Sequence, residues 1–214
     1  MHAKKIVVIA LVSLTAIGTG KESVSPTQIF PIHFANFFHT RNIRYIPTCK
    51  WENASLIDKS SITIPEAKES EKYAQLIRKK YTVPVYIQFI DDAIGYGVFA
   101  DTDIQPGQMI GEYAGIIKKY KPKGAQNKEE VHNESYRWKY GSDILDAFDA
   151  GNFTRFINHS YNPNLEARYI KTNDNFPAHL IYIARKPIKK GEQLLINYGA
   201  HYWSNPLQNK PVNL

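Results

Sequence analysis

The chain has 214 residues, enough for one domain or a domain with a smaller appendage, and enough buried apolar surface to fold without a disulfide or metal staple. Hydrophobic residues make up 43% and charged residues 22%, which excludes a wholly disordered or fibrous chain. Basic residues outnumber acidic ones 27 to 20, a net charge of +7, but the surplus is spread along the sequence, so direct nucleic-acid contact is allowed and not indicated.

Lys4 and Lys5 precede an apolar stretch at residues 6–17, followed by Gly18, Thr19 and Gly20. This is the pattern of a secretory signal peptide, and the stretch is too short for a comfortable membrane span. A buried strand or helix has the same pattern, so the expectation is a secreted protein, otherwise a cytoplasmic one. Residues 1–20 are set aside from fold reasoning. Residues 21–64 show no clear period, although Phe34, Phe37 and Phe38 could pack on a neighbour. Cys49 is the single cysteine, so neither an internal disulfide nor a multi-cysteine zinc site can form, and it reads as a buried or idle thiol. Pro65 and residues 66–80 read as a helix with proline in its first turn, with Tyr73, Leu76 and Ile77 on one face.

From Val83 the pattern changes to short strands divided by turns. Val85, Ile87 and Phe89 alternate, as do Tyr136, Trp138 and Tyr140, and residues 180–184 are a strongly β-prone run. Gln105-Pro106-Gly107-Gln108 is a turn, and residues 118–134, rich in Lys, Gly, Asn and Glu, read as a solvated insert. The fold class is mainly β with short helices, in a domain at residues 83–203. A flanking region at 21–82 precedes it and a tail at 204–214 follows.

Four segments carry unusual chemistry. Gly95-Tyr96-Gly97 is a two-glycine turn entering a strand; it lacks the third glycine and following helix of a dinucleotide fingerprint. Gly111-Glu112-Tyr113 places a tyrosine on a strand, which by itself is more often packing than chemistry. Arg155-Phe156-Ile157-Asn158-His159-Ser160, continuing to Asn164, punctuates an apolar stretch with polar groups that need partners, so a hydrogen-bond network or a polar ligand is implied. His159 alone fits a satisfied core histidine, and its neighbours lack metal-ligand spacing. Gly191-Glu192-Gln193-Leu194-Leu195-Ile196-Asn197-Tyr198 ends a strand in the aromatic cluster of Tyr198, Tyr202 and Trp203.

In this order the four segments resemble the SET domain of protein lysine methyltransferases. The resemblance implies small β-sheets around a C-terminal pseudoknot that brings Asn158 and His159 beside Tyr198. It implies S-adenosylmethionine as cofactor, met by Gly95, Tyr96, Gly97, Tyr136, Arg155, Asn158 and His159, with Trp203 closing over the adenine. Tyr198 and Tyr113 take the catalytic positions, while Ile196 and Tyr202 line the substrate channel. The implied partner is a lysine-bearing protein, a histone among the candidates. A structural zinc is not expected, because no cysteine follows Cys49. Ile196 stands where the family often has Phe or Tyr, so addition of two or three methyl groups is the expectation. A catalytically idle SET module that binds a partner is the alternative. A signal-like N-terminus also fits an exported protein acting in the nucleus of a host cell.

Overall fold

The computed structural model describes residues 28–53, 63–64, 67–120, 134–172, 174 and 176–203. The signal pattern at residues 1–20, the tail at 204–214 and most of the insert at 118–134 lie outside the described residues.

The run at residues 180–184 is apolar without alternation because both faces of its strand are covered. His179–Ala184 pairs antiparallel with Leu165–Lys171 on one side and Met109–Glu112 on the other. Leu180, Tyr182 and Ala184 face the main core, whereas Ile181 and Ile183 face a second cluster with Tyr73, Ile77, Met109 and Ile170. A strand with two buried faces needs a continuous apolar sequence. Helix α2 (Glu71–Arg78) supplies that second cover through Tyr73 and Ile77.

Helix α2 is shorter than the 66–80 read from the sequence. Lys68–Glu69 is a strand, paired in parallel with Ile170 and Lys171 at the edge of the same sheet. The edge hydrogen bonds outweigh the helix propensity of those residues, and the helix begins only after Ser70. The alternation of Val85, Ile87 and Phe89 also lapses. Val85 and Ile87 are buried, but Phe89 is 37% exposed where the ladder to the next strand shifts register.

Val85–Asp91 and Gly95–Ala100 form an antiparallel hairpin, with Gln88 opposite Gly97. Asp91 makes its turn, accepting the backbone N–H groups of Ala93 and Ile94 on Oδ1 at 2.9 and 2.7 Å. A further sheet orders Lys50–Trp51, Ile116–Lys118, Asp143–Asp146 and Arg137–Tyr140.

The irregular lead-in is tied into the domain. Phe34, Phe37 and Phe38 of helix α1 (Phe34–His39) are buried in the main core. Arg44–Tyr45 then pairs in parallel with Ala150–Gly151, and Ile46 donates its N–H to the carbonyl of Gly151 at 2.9 Å.

The C-terminal stretch threads between two earlier parts of the chain. Leu194 donates to the carbonyl of Val98 at 2.8 Å, while Leu195–Ile196 pairs in parallel with Asn158–His159. Ser160 N–H reaches the Ile196 carbonyl at 3.0 Å. Parallel pairing cannot be closed by a tight hairpin, so the intervening chain must loop around before it returns. The architecture is therefore mainly β, in several small sheets, with the C-terminal strand laced through their centre.

Candidate functional site

The lacing carries Tyr198 out of the Leu195–Ile196 strand directly beside His159. The Tyr198 N–H donates to His159 Nδ1 at 3.1 Å, and the Tyr198 hydroxyl donates to the Ile157 carbonyl at 2.8 Å. Both contacts go to the Ile157-Asn158-His159 stretch, so backbone and side chain of the tyrosine are fixed by one segment. Burial, and then the neighbouring phenols of Tyr202 and Tyr136, push the Tyr198 hydroxyl well above the usual tyrosine range. It stays a neutral phenol: its hydrogen is committed to Ile157, and its oxygen keeps lone pairs for another group.

An aromatic shell surrounds it. Tyr202 packs edge-on to the Tyr198 ring at 4.7 Å, and Trp203 stacks at 6.1 Å with 18° between planes. The short helix α3 (Ala200–Trp203) brings both there and sets Trp203 4.9 Å from the His159 ring. Because His159 Nδ1 accepts from the backbone, its other nitrogen carries the proton in the neutral ring. Burial holds this histidine below its ordinary pKa, in keeping with that neutral state.

The two glycines of the first segment serve different needs. Gly95 sits at φ +78°, a conformation that side chains rarely adopt, with open space around it. Gly97 has no such backbone demand, but a Cβ there would come within 2.7 Å of Gln193 Nε2 and Ile90 Cδ1 and 3.3 Å of Asn158 Nδ2. Between them, the Tyr96 carbonyl accepts from Asn158 Nδ2 at 3.0 Å. That bond brings the glycine segment and the Asn158-His159 pair together across the hairpin.

Arg155 and Tyr136 do meet, and they meet each other. The Arg155 guanidinium lies 3.9 Å from the Tyr136 ring centre and donates to the carbonyls of Ala147 at 2.8 Å and Phe148 at 3.1 Å. A buried cation needs such partners, and here they are backbone and a π face. Tyr113 donates its hydroxyl to the Tyr136 carbonyl at 2.9 Å and packs its ring against Trp138 and Tyr182. Burial, with the Tyr198 phenol as the next cause, raises the Tyr113 hydroxyl far above its usual range. The phenols of Tyr113, Tyr136 and Tyr198 are near enough to influence one another electrostatically. Ile196 is buried, 2% exposed, opposite His159 in the parallel pair.

Several supporting residues escape a reading of the sequence. Asn164 clasps the threaded strand from both sides: its Nδ2 donates to the Gln193 carbonyl and its Oδ1 accepts from Leu195 N–H, each at 2.8 Å. Its place in the polar run was the available signal. His179, in the apolar strand, bridges Glu112 at 2.7 Å and Asp174 at 2.8 Å. Glu112 is next to Tyr113, and its carbonyl accepts from Asn152 at 2.8 Å. Burial alone would lower the His179 pKa, but hydrogen bonding and charge from Glu112, then Asp174, raise it overall. Cys49 is buried, with Sγ 3.3 Å from the Tyr113 carbonyl; burial and then Glu112 push its thiol well up, which disfavours the nucleophilic thiolate.

Residues 95–199 match the SET domain family. The chain carries a SET domain. Over 120 residues, 52% of the chain, it is 30% identical to the histone-lysine N-methyltransferase EZH2 of Chaetomium thermophilum, of which it covers 8%. Over 140 residues, 63% of the chain, it is 30% identical to an H3 lysine-4 specific histone-lysine N-methyltransferase of Cryptococcus neoformans, covering 9%. Over 117 residues, 52% of the chain, it is 33% identical to an H3 lysine-36 specific one of Gibberella zeae, covering 12%. The chain thus spans about a tenth of the length of these curated relatives. Among solved structures, polycomb repressive complex 2 of Chaetomium thermophilum aligns with a TM-score of 0.52 at 26% identity, over 63% of this chain and 17% of that one.

A SET domain implies S-adenosylmethionine, and the residues present fit it. His159 Nε2, Trp203 Nε1 and Gln193 Nε2 are buried nitrogens with no hydrogen-bond partner among the described residues. Two of them flank the Tyr198 ring and the third borders Gly97. A purine with ring acceptors and a flat face is chemically matched to an indole N–H and an imidazole N–H on adjoining aromatic rings. Among the described residues no cluster of His, Cys, Asp or Glu is placed to hold a metal ion.

Proposed function

We propose that this SET domain is an S-adenosylmethionine-dependent protein-lysine N-methyltransferase acting on a histone tail. The observation that carries the proposal is the neutral Tyr198 hydroxyl, anchored on Ile157 and ringed by Tyr202, Trp203 and His159. Bound S-adenosylmethionine supplies an activated methyl group on a positively charged sulfur. The segment from Gly95 to Gly97 offers it backbone, Asn158 holds that backbone in place, and His159 with Trp203 takes the adenine.

What the protein does to its substrate follows from the buried phenols. A lysine amine has an ordinary pKa near 10.4 and enters water-exposed sites charged. Enclosure among Tyr113, Tyr136 and Tyr198, near a bound cation, disfavours that charge by desolvation and like-charge repulsion. Water can take the proton, so no strong base is required, and none of these phenols is one. The Tyr198 oxygen has spent its hydrogen on Ile157 and presents electron density to a polarised C–H or N–H group. The rate gain comes from alignment and a fixed polar shell.

The three relatives above are histone-lysine N-methyltransferases, one named for H3 lysine 4 and another for H3 lysine 36, which supports a histone while leaving the lysine open. The signal pattern at residues 1–20 supports export, and a histone substrate would then put the site of action in the nucleus of a host cell; a chain intact at Met1 in the producer's cytoplasm contradicts that part.

The test is transfer of labelled methyl from the cofactor to a panel of histones and lysate proteins, beside Tyr198→Phe. Labelling of a histone by the wild type, falling on the order of 10²-fold in the variant, is expected, as for loss of one preorganised polar group. Cofactor binding by calorimetry without transfer to any panel member would indicate the idle module instead.

A further inference from the structure

The backbone of the glycine segment is held by its hairpin partner Val85–Asp91 and, at the Tyr96 carbonyl, by Asn158. The ring of Tyr96 is held by the lead-in. Phe37 of helix α1 packs edge-on against the Tyr96 ring at 5.0 Å, and it also meets Phe156 at 5.5 Å. Arg41, just beyond the helix, completes the grip. Its guanidinium carbon lies 3.7 Å from the Phe37 ring centre and 4.5 Å from that of Tyr96. One amino group, Nη1, donates to the Phe37 carbonyl at 3.0 Å and to Thr40 Oγ1 at 3.2 Å, and the other donates to the Tyr96 hydroxyl.

We infer that Arg41 is a positioning residue for the cofactor: by fixing Tyr96 it sets the Gly95 to Gly97 backbone in its binding conformation before the cofactor arrives. The inference rests on the assignment of that segment to S-adenosylmethionine. Its physical basis is that a planar, always-charged fork can satisfy a helix-end carbonyl, a hydroxyl and two ring faces at once. An ammonium is a point donor and cannot do all four. The anchor is firm because the chain just after Arg41 is pinned to Ala150 and Gly151 by the parallel pair and, through the Ile46 amide, to the Gly151 carbonyl. The hairpin ladder shifts register next to Gly95, which itself sits at positive φ, so this end of the strand is its least constrained part, and ordering it on binding costs affinity. Sequence beyond the SET match is thereby made part of the site: Arg41 lies outside residues 95–199.

The experiment is a double-mutant cycle on the full chain, read by calorimetry with S-adenosylmethionine and by methyl transfer. Arg41→Met is expected to weaken cofactor binding roughly tenfold, the effect of losing one charge-assisted hydrogen bond, and to raise the cofactor KM by a similar factor with kcat nearly unchanged. In a Tyr96→Phe background the same substitution should weaken binding no more than about threefold, because the shared bond is already gone. Arg41→Lys, which keeps charge and stem but not the fork, should fall between wild type and Arg41→Met. Should Arg41→Met lower the melting temperature markedly, the lysine variant carries the same comparison. Equal loss in both backgrounds, or cofactor affinity untouched by either substitution, overturns the positioning role while leaving the methyltransferase reading intact. A wild-type chain that binds no cofactor overturns both.

Discussion

The N–H of Tyr198 is bonded to Nδ1 of His159, 3.1 Å away and 39 positions earlier in the chain. That bond requires an unprotonated nitrogen, so it makes the site's geometry depend on pH. His159 is buried and its pKa lies below the ordinary 6.5, whereas His179, held by Glu112 and Asp174, lies above it.

The two histidines therefore titrate against stability in opposite senses. For His159 the unfolded chain binds the proton more readily, so stability is full above about pH 6.5 and falls as pH drops towards the lowered native value. For His179 the native state binds the proton more readily, so its contribution is full below about pH 6.5 and is lost as pH rises through the raised native value. Melting temperatures measured from about pH 5 to 9 should show His159→Asn flattening the acid limb and His179→Gln flattening the alkaline limb. Matching slopes in wild type and both variants would exclude the assigned titrations.

The site was legible in the sequence where the polar residues stand in short runs. The polar run from Arg155 to Asn164 stands out because polar groups in an apolar stretch need partners, whereas Tyr198 reads as core until the resemblance to SET domains sets it beside Asn158 and His159, and the structure joins them through the parallel pair. Partners made by long-range folding were not legible. His179 looks like one more strand residue until Glu112, 67 positions away, is placed against it. Arg41 sits in a segment without period, and its target Tyr96 is 55 positions downstream. Lys68 and Glu69 show the same limit for the fold: their local preference for helix gives way to an edge that only the finished sheet provides.

Asn164 should matter more to stability than its small size suggests. It is buried, 7% exposed, and satisfies a donor and an acceptor of the threaded strand. Asn164→Ala leaves the Gln193 carbonyl and the Leu195 N–H without these partners, a loss of about 2–6 kcal/mol at about 1–3 kcal/mol per orphaned group. Urea unfolding should show a lower midpoint with an unchanged slope. A midpoint within error of wild type would mean that water replaces the side chain and the clasp is dispensable.

Gly97→Ala tests space instead of conformation. The new Cβ would press on the ends of the Gln193, Ile90 and Asn158 side chains, which can move, so the fold should survive at a cost of about 1–3 kcal/mol. Movement of Asn158 loosens its bond to the Tyr96 carbonyl, and the expected result is a cofactor dissociation constant raised about tenfold. Calorimetry on the folded variant decides it, with circular dichroism confirming the fold.

Ile196 offers a test of how many methyl groups are added. It is buried beside the Tyr198 turn and has no hydroxyl with which to hold a water against a partly methylated amine. If the chain is the methyltransferase proposed above, di- and trimethyl product should therefore build up on a peptide at long times. Ile196→Tyr introduces both bulk and a hydroxyl, and should shift the product towards monomethyl, while overpacking costs about 1–3 kcal/mol of stability. Mass spectrometry of the peptide over a time course reads both proteins. Monomethyl product alone from the wild type would show that Ile196, two positions before Tyr198, does not set the space around the amine.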